Sequence, residues 1–367
     1  MSFNRRTILR TGAGLIGASL FGRRAFALSM PPMPEGLLDA ARKEGRLNLI
    51  AIPRDWANYG QMMDDFVALT QIKIDSANPN GSSAEELQAI RSLKRQSRAP
   101  DTVDLGPSYA LTGVKEKLFQ PHKVMTWESI SDDVKDPNGL WTGCYFGVVS
   151  FGVNLSVAKT APRSWADLLK PNYKGMVALT NSPLGSASAF AAVFAASLGN
   201  GGSYDDIMPG IEFFGKLAAA KNFSPVGATT ATLVSGQTPI VIDWDYLNLA
   251  RRDQAKGKSE IQTVLAEGAP PFGNYYAQAL SAYAPHPNAG KLWLEYIFSD
   301  QGQLTFLGGY AHPIRFNELV AAGKVSDELL KGLPPAEAYK SVKFATPEQS
   351  DKATADLKAN WPKIVKF

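Results

Sequence analysis

Four consecutive residues, Asp243-Trp244-Asp245-Tyr246, set two carboxylates and two aromatic rings directly after the apolar run Pro239-Ile240-Val241-Ile242. If the strand persists, alternate side chains face opposite ways, so Asp243 and Asp245 share one side and Trp244 takes the other. Carboxylates beside aromatic faces in a desolvated cleft suit a cation, through charge-assisted hydrogen bonds and cation-π attraction. Asp245 has a second reading, as the N-cap of a helix over Tyr246 to Arg252, where the helix dipole favours its charge. Arg54-Asp55-Trp56-Ala57-Asn58-Tyr59 offers Trp56 and Tyr59 beside an acid, with packing of Trp56 on its own lobe as the competing account. An anion finds other groups. Asn181-Ser182-Pro183-Leu184-Gly185-Ser186-Ala187-Ser188 gathers hydroxyls where an apolar helix begins, and unpaired first-turn amides form an anion seat; capping by Ser186 is the plainer account. Ser82 and Ser83 open another helix in the same way, again with capping as the alternative. Asp104 ends a short strand before Gly106-Pro107, where turn stabilisation competes with ligand contact. Tyr275 and Tyr276 are adjacent in a β-prone run and so face opposite ways, which lets at most one of them enter a cleft. A zwitterion, such as an aminophosphonate, would use both kinds of seat.

Other chemistries lack their residues. One cysteine, Cys144, excludes an internal disulfide framework and a Cys-based zinc site. His122, His286 and His312 have no metal-ligand spacing, so neither a metal site nor a cofactor is expected. Gly12-Ala13-Gly14-Leu15-Ile16-Gly17 spells a dinucleotide fingerprint with no strand before it, and Ser156-Val157-Ala158-Lys159 spells a serine nucleophile motif without its partner motifs. Beyond residue 27 the chain has 33 basic against 34 acidic residues, so the basic excess of a nucleic-acid binder is absent. No catalysis is expected. An exported enzyme is the rival class.

Elements that would position these groups follow from hydropathy. At 367 residues a single core normally splits into two. Strands are predicted at 46–52, 72–75, 102–105, 176–180 and 239–242, alternating with helices near 37–43, 61–70, 82–95, 186–198 and 206–220, which implies a parallel or mixed sheet flanked by helices. Two longer β-prone runs, 145–154 and 275–284, exceed an ordinary strand and read as two hinge strands between lobes. Lobe 1 is then discontinuous, 28–148 with 275–316, and lobe 2 is 149–274. Helices are expected over 164–169 and 289–303, and residues 317–367 read as a helical segment packed across the lobes.

The first 27 residues carry five arginines and no acid. Arg5-Arg6, the apolar stretch Thr11 to Phe21 and Ala25-Phe26-Ala27 form a basic region, a run too short to span a bilayer and a small-x-small cleavage site, which together read as a cleavable signal peptide. The paired arginines resemble the twin-arginine type. The expected destination is the periplasm, with a mature chain not embedded in the membrane.

The order of pieces resembles the periplasmic solute-binding proteins of ABC importers, in the branch of polyamine, ferric-ion, thiamine and phosphonate binders. Ser164-Trp165-Ala166-Asp167-Leu168-Leu169-Lys170-Pro171-Asn172-Tyr173-Lys174-Gly175 is similar to that branch's W-x-D-L…P-x-(Y/W)-K-G segment, and Pro287-Asn288-Ala289 through Phe298-Ser299-Asp300-Gln301-Gly302-Gln303 to its closing helix. The resemblance implies a type II two-lobed α/β fold, each lobe a mixed sheet flanked by helices, and a monomer that delivers its solute to the transmembrane permease subunits. Iron binders of the branch use neighbouring tyrosines, but theirs follow the strand that here carries Trp244-Asp245-Tyr246. The acidic-aromatic cluster points to a small cation such as putrescine or spermidine, with ferric ion or a phosphonate- or phosphate-containing solute as the alternative.

Overall fold

The structure, a computed structural model, describes residues 28–334, 339 and 342–366. The paired arginines, the proposed cleavage site and the glycine motif of residues 12–17 therefore lie outside the described residues. Among the described residues ten strands occur: β1 (Arg46–Ile50), β2 (Lys73–Ala77), β3 (Thr102–Leu105), β4 (Phe119–Gln120), β5 (Thr142–Asn154), β6 (Val177–Ala178), β7 (Ile240–Trp244), β8 (Ile261–Val264), β9 (Gly273–Ser281) and β10 (His312–Pro313).

β5 organises the rest. Over Thr142–Val148 it runs antiparallel to β9, with β10 on its other edge; over Val149–Asn154 the same strand pairs with β7 and β8. One strand thus serves two lobes, and its partners change between Val148 and Val149. The first lobe contains parallel β1 and β2, and β3 and β4 antiparallel to β9. In the second, β6 lies parallel to β7. The return passage is made just before β9, where Val149 donates its amide to the Phe272 carbonyl at 3.0 Å. β9 itself stays in the first lobe, shorter than the run predicted over 275–284.

Glycines let a helix lie directly on this strand. A Cβ at Gly147 would stand 2.5 Å from the Tyr246 ring, and one at Gly152 would stand 2.3 Å from the Asn248 side chain, so the helix Asp245–Gln254 could not seat over any larger residue at either position. The second lobe is filled by the helix Ala187–Leu198, almost wholly buried, packed on Met208–Ala219. The predicted 289–303 helix is in fact two, Pro287–Phe298 and Asp300–Gly308. Ser299 breaks it by turning extended and capping the second helix, accepting from the Gly302 amide. Among the described residues no helix is long and apolar enough to cross a membrane.

The terminal helix Pro347–Ile364 touches both lobes. Near its start Lys115 of the first lobe meets Asp351 at 2.5 Å, while Gln349 donates to Asp205 of the second at 3.1 Å. Near its end Trp361 packs on Phe214 and Phe223, with ring centroids at 5.4 and 6.4 Å. Trp361→Ala removes that anchor and leaves a cavity, so unfolding is expected to become easier by about 3 kcal/mol. The measurement is urea denaturation, with a lower midpoint and an unchanged slope.

Candidate functional site

A cleft of about 280 Å³ opens between the lobes. Its first-lobe wall carries Trp56, Ser82, Ser83, Glu86, Asp104 and Tyr276; the facing wall carries Thr180, Ser186, Ser188, Thr229, Thr230 and Arg251. The lobes touch beside it. Tyr109 donates from its hydroxyl to the Leu184 carbonyl at 3.4 Å, and a Cβ at Gly106 would come within 2.5 Å of the Ala187 Cβ.

Each wall ends in an open helix start. Ser82 caps Ser83–Ser92 in a reciprocal box with Glu85, and Ser83 accepts the Gly106 amide at 3.2 Å. Opposite it, Ser186 caps Ala187–Leu198 and lies 3.2 Å from the Ser188 hydroxyl, which in turn lies 3.0 Å from that of Thr180. Both capping accounts from the sequence hold, and the same residues still line the cleft. First-turn amides have no partner within their own helix, and two such turns with their hydroxyls make a concave donor surface suited to an anion.

The floor of the first-lobe wall is acidic. Asp104, at the end of β3, accepts from the Tyr145 hydroxyl at 2.6 Å, the Tyr59 hydroxyl at 3.2 Å and the Gln278 amide at 2.6 Å. Its own backbone amide donates to Glu86 at 2.8 Å. Burial pushes the Asp104 carboxyl up to about 7, against the pull of its tyrosine donors. Burial, reinforced by the neighbouring Asp104, holds Glu86 well above the ordinary carboxylate range. Trp56 donates its indole N–H to the Tyr145 hydroxyl at 2.7 Å, so a wall residue is wired to the floor carboxyl. Ala57 and Asn58, with φ of 46° and 65°, turn the chain sharply between Trp56 and the next helix.

Several residues singled out in the sequence are placed elsewhere. β7 ends at Trp244 and the helix begins at Asp245, so the strand alternation that set Asp243 and Asp245 side by side does not reach Asp245. Asp243 is fully buried, meets Arg251 at 2.8 Å and accepts the Trp244 amide at 2.9 Å. Burial raises its carboxyl in spite of Arg251. Asp245 is the first residue of its helix rather than the cap; it accepts the Val148 amide at 2.9 Å and the Tyr339 hydroxyl at 2.5 Å, and burial lifts it to about 6. Neither carboxylate lines the cleft. Trp244 and Tyr246 stack on each other in an aromatic layer behind Trp56, their centroids 6.4 Å apart. Tyr59 reaches Asp104 from behind. Of the adjacent tyrosines, Tyr275 stacks on Trp141 at 6.0 Å and Tyr276 takes the cleft.

Thr180, Thr229 and Thr230 were not singled out in the sequence, and neither were the charged wall residues Glu86 and Arg251. Glu86 sits one turn after Ser83 on the same helix, and Arg251 shares with Leu247, Ala250 and Gln254 a helical spacing that lines the cleft. Both signals become visible only once the facing wall is known.

A family model described as bacterial extracellular solute-binding protein matches residues 105–346. The chain belongs to that family. A protein of Salmonella typhimurium, provisionally named 2-aminoethylphosphonate-binding periplasmic protein, is 26% identical over 257 residues, which cover 67% of this chain and 70% of the relative. Solved structures share the fold. The periplasmic binding protein AfuA of Actinobacillus pleuropneumoniae, with fructose-6-phosphate bound, aligns with a TM-score of 0.67 at 15% identity over 87% of this chain and 99% of its own. Iron-bound HitA of Pseudomonas aeruginosa aligns at 0.63 with 17% identity, over 85% and 97%. The chain is thus an extracellular solute-binding protein of the ABC-importer kind with the type II periplasmic-binding fold. The names of these three proteins carry an aminophosphonate, a sugar phosphate and iron, and none carries a polyamine.

Closure of a solute-binding protein needs its lobes to meet. Gly106→Val inserts a side chain where the Ala187 methyl now sits, so solute affinity is expected to fall by tenfold or more, a loss of about 1.4 kcal/mol. Titration calorimetry measures the loss, and small-angle scattering of the variant with solute should show the more open form.

Proposed function

We propose that this protein captures a small phosphonate of the 2-aminoethylphosphonate class in the interlobe cleft and hands it, in the periplasm, to the permease subunits of an ABC importer. It does so as a monomer without catalysis. The observation that carries this reading is the pair of serine-rich helix starts on facing walls, Ser82-Ser83 and Ser186 to Ser188, with Thr180, Thr229 and Thr230 between lobes that touch at Gly106 and Ala187. A tetrahedral oxyanion presents several acceptor oxygens, and such a surface presents several donors around them. The relative's name is independent support.

The polyamine reading rested on Asp243 and Asp245, and both are committed elsewhere, one to Arg251 and the other to β5 and Tyr339. Ferric binding through paired tyrosines loses support because Tyr275 stacks on Trp141. In the proposed motion lobe 1, 28–148 with 275–316, closes on lobe 2, 149–274, about β5 and the passage before β9, with the segment after 316 strapped across both.

A solute that binds only the folded protein raises its stability by mass action, about 2.7 kcal/mol at a hundred times its dissociation constant. Melting curves are therefore expected to shift upward with 2-aminoethylphosphonate and to stay unchanged with putrescine or spermidine. Ser186→Ala with Ser188→Ala should reduce the phosphonate shift. A shift with polyamines and none with any phosphonate overturns the proposal.

A further inference from the structure

The phosphonate seat accounts for one end of the cleft and leaves Glu86 and Asp104 without a task. We propose that these two carboxyls form the seat of the solute's ammonium group and give up a proton as that ammonium arrives, so that capture of an amino-bearing phosphonate is coupled to proton release. The inference deepens the reading above and rests on it for the anionic end.

The geometry is that of a built site. Glu86 is 1% exposed and lines the cleft; its Oε1 accepts the Asp104 amide at 2.8 Å, while no described residue partners its Oε2. That oxygen is not sealed off from the cleft, so it is free to meet a donor that enters. Asp104, 6% exposed, lies beside it in the same wall. The rings of Trp56 and Tyr276 complete the surroundings and offer apolar and cation-π contact to an ammonium and its methylenes.

No described cation is paired with either carboxyl. The groups facing Asp104 are the hydroxyls of Tyr59 and Tyr145, the Gln278 amide and Glu86 itself. Cys144, Tyr246 and Tyr276 are near enough to feel its charge, and they are neutral near pH 7. The cation of the cleft, Arg251, is held by Asp243 and by Asn248. Two carboxyls in one dry wall cannot both ionise unaided, so the empty cleft retains protons, as the raised values of Asp104 and Glu86 indicate. An ammonium supplies the missing positive charge and favours the ionised pair. The proton leaves to solvent and the solute remains an ammonium, so charge balances within the cleft.

The sign follows by linkage. Below pH 7 protons compete with the ammonium, so affinity rises with pH, by at most about tenfold per unit per proton. It stops rising only when neither Asp104, at about 7, nor Glu86, also held high by burial, retains a proton in the empty cleft, and it falls once the ammonium itself deprotonates near pH ~10. The phosphonate titrates in the same range, at higher pH where no ammonium is beside it, so the proton count and pH slope of each ligand are corrected for that ligand's own phosphonate titration in solution.

The experiment is calorimetry of the full chain in buffers of different ionisation enthalpy, from pH 5.5 to 8. The ligands are 2-aminoethylphosphonate, propylphosphonate, which keeps the anion and replaces the amine by a methyl, and putrescine. The aminophosphonate is expected to bind with about half a proton or more released at pH 7 beyond the propylphosphonate value, and with a steeper rise of affinity with pH. Glu86→Gln retains the acceptor for the Asp104 amide, and Asp104→Asn retains an acceptor for the tyrosines. Each should weaken the aminophosphonate by tenfold or more, remove the extra proton and leave propylphosphonate affinity within about threefold. Equal proton release and equal pH slopes for the two phosphonates overturn the inference while leaving the phosphonate reading intact. Putrescine binding with proton release, and no phosphonate binding, upholds the ammonium seat and sinks the phosphonate reading. Absence of binding by both amines overturns the inference.

Discussion

The carboxylate of Asp245 holds the amide of Val148 at the residue where β5 exchanges one set of strand partners for another. A backbone donor at that handover has no ladder partner to rely on, and leaving it unpaired in a dry interior would cost more than one ordinary hydrogen bond contributes. Asp245 opens the helix Asp245–Gln254, so the same contact fixes where that helix sits on the strand. Gly147 and Gly152 admit it at close range. From there the helix carries Leu247, Ala250, Arg251 and Gln254 to the cleft, and one carboxylate therefore ties the strand shared by the lobes to the placement of a cleft wall.

Buried charge is handled in two distinct ways on the two sides of this cleft. Asp243 is neutralised at once by Arg251, so its burial is a structural matter and it offers nothing to a solute. Asp104 and Glu86 receive only neutral donors, and a carboxyl stabilised by hydroxyls and amides alone gives way to protonation when water is removed. The difference marks which acid is scaffold and which is poised. A second layer of aromatic rings, Tyr145, Tyr246 and Tyr276 around Trp56, keeps that floor dry and links its polarity to the wall.

Much of the fold was legible in order and period. β3 fell on the predicted residues, the buried helix after Ser186 began where its cap said it would, and the overlong β5 betrayed a strand shared by two lobes. The helix expected over 289–303 failed at Ser299 because a capping serine inside an apolar pattern is masked by the periodicity around it. Trp56, Ser83, Asp104 and Ser186, at strand ends and helix starts, line the cleft. Asp243, Asp245 and Tyr275 do not, because their facing depended on where a strand yields to a helix and on which neighbour claims each charge.

Local chemistry settled the sequence-determined part: alternation of apolar runs, helix caps, the single cysteine and the lack of clustered histidines or a nucleotide loop are read from the order of residues alone, and that order is what a sequence records. The pairing of Asp243 with Arg251 eight residues on, the meeting of Glu86 with Asp104, and the choice of Tyr276 over Tyr275 were decided by tertiary structure alone. Each depends on which elements the fold of a lobe brings within a few ångströms of one another, and the energy of a charge there depends on everything that excludes water from it.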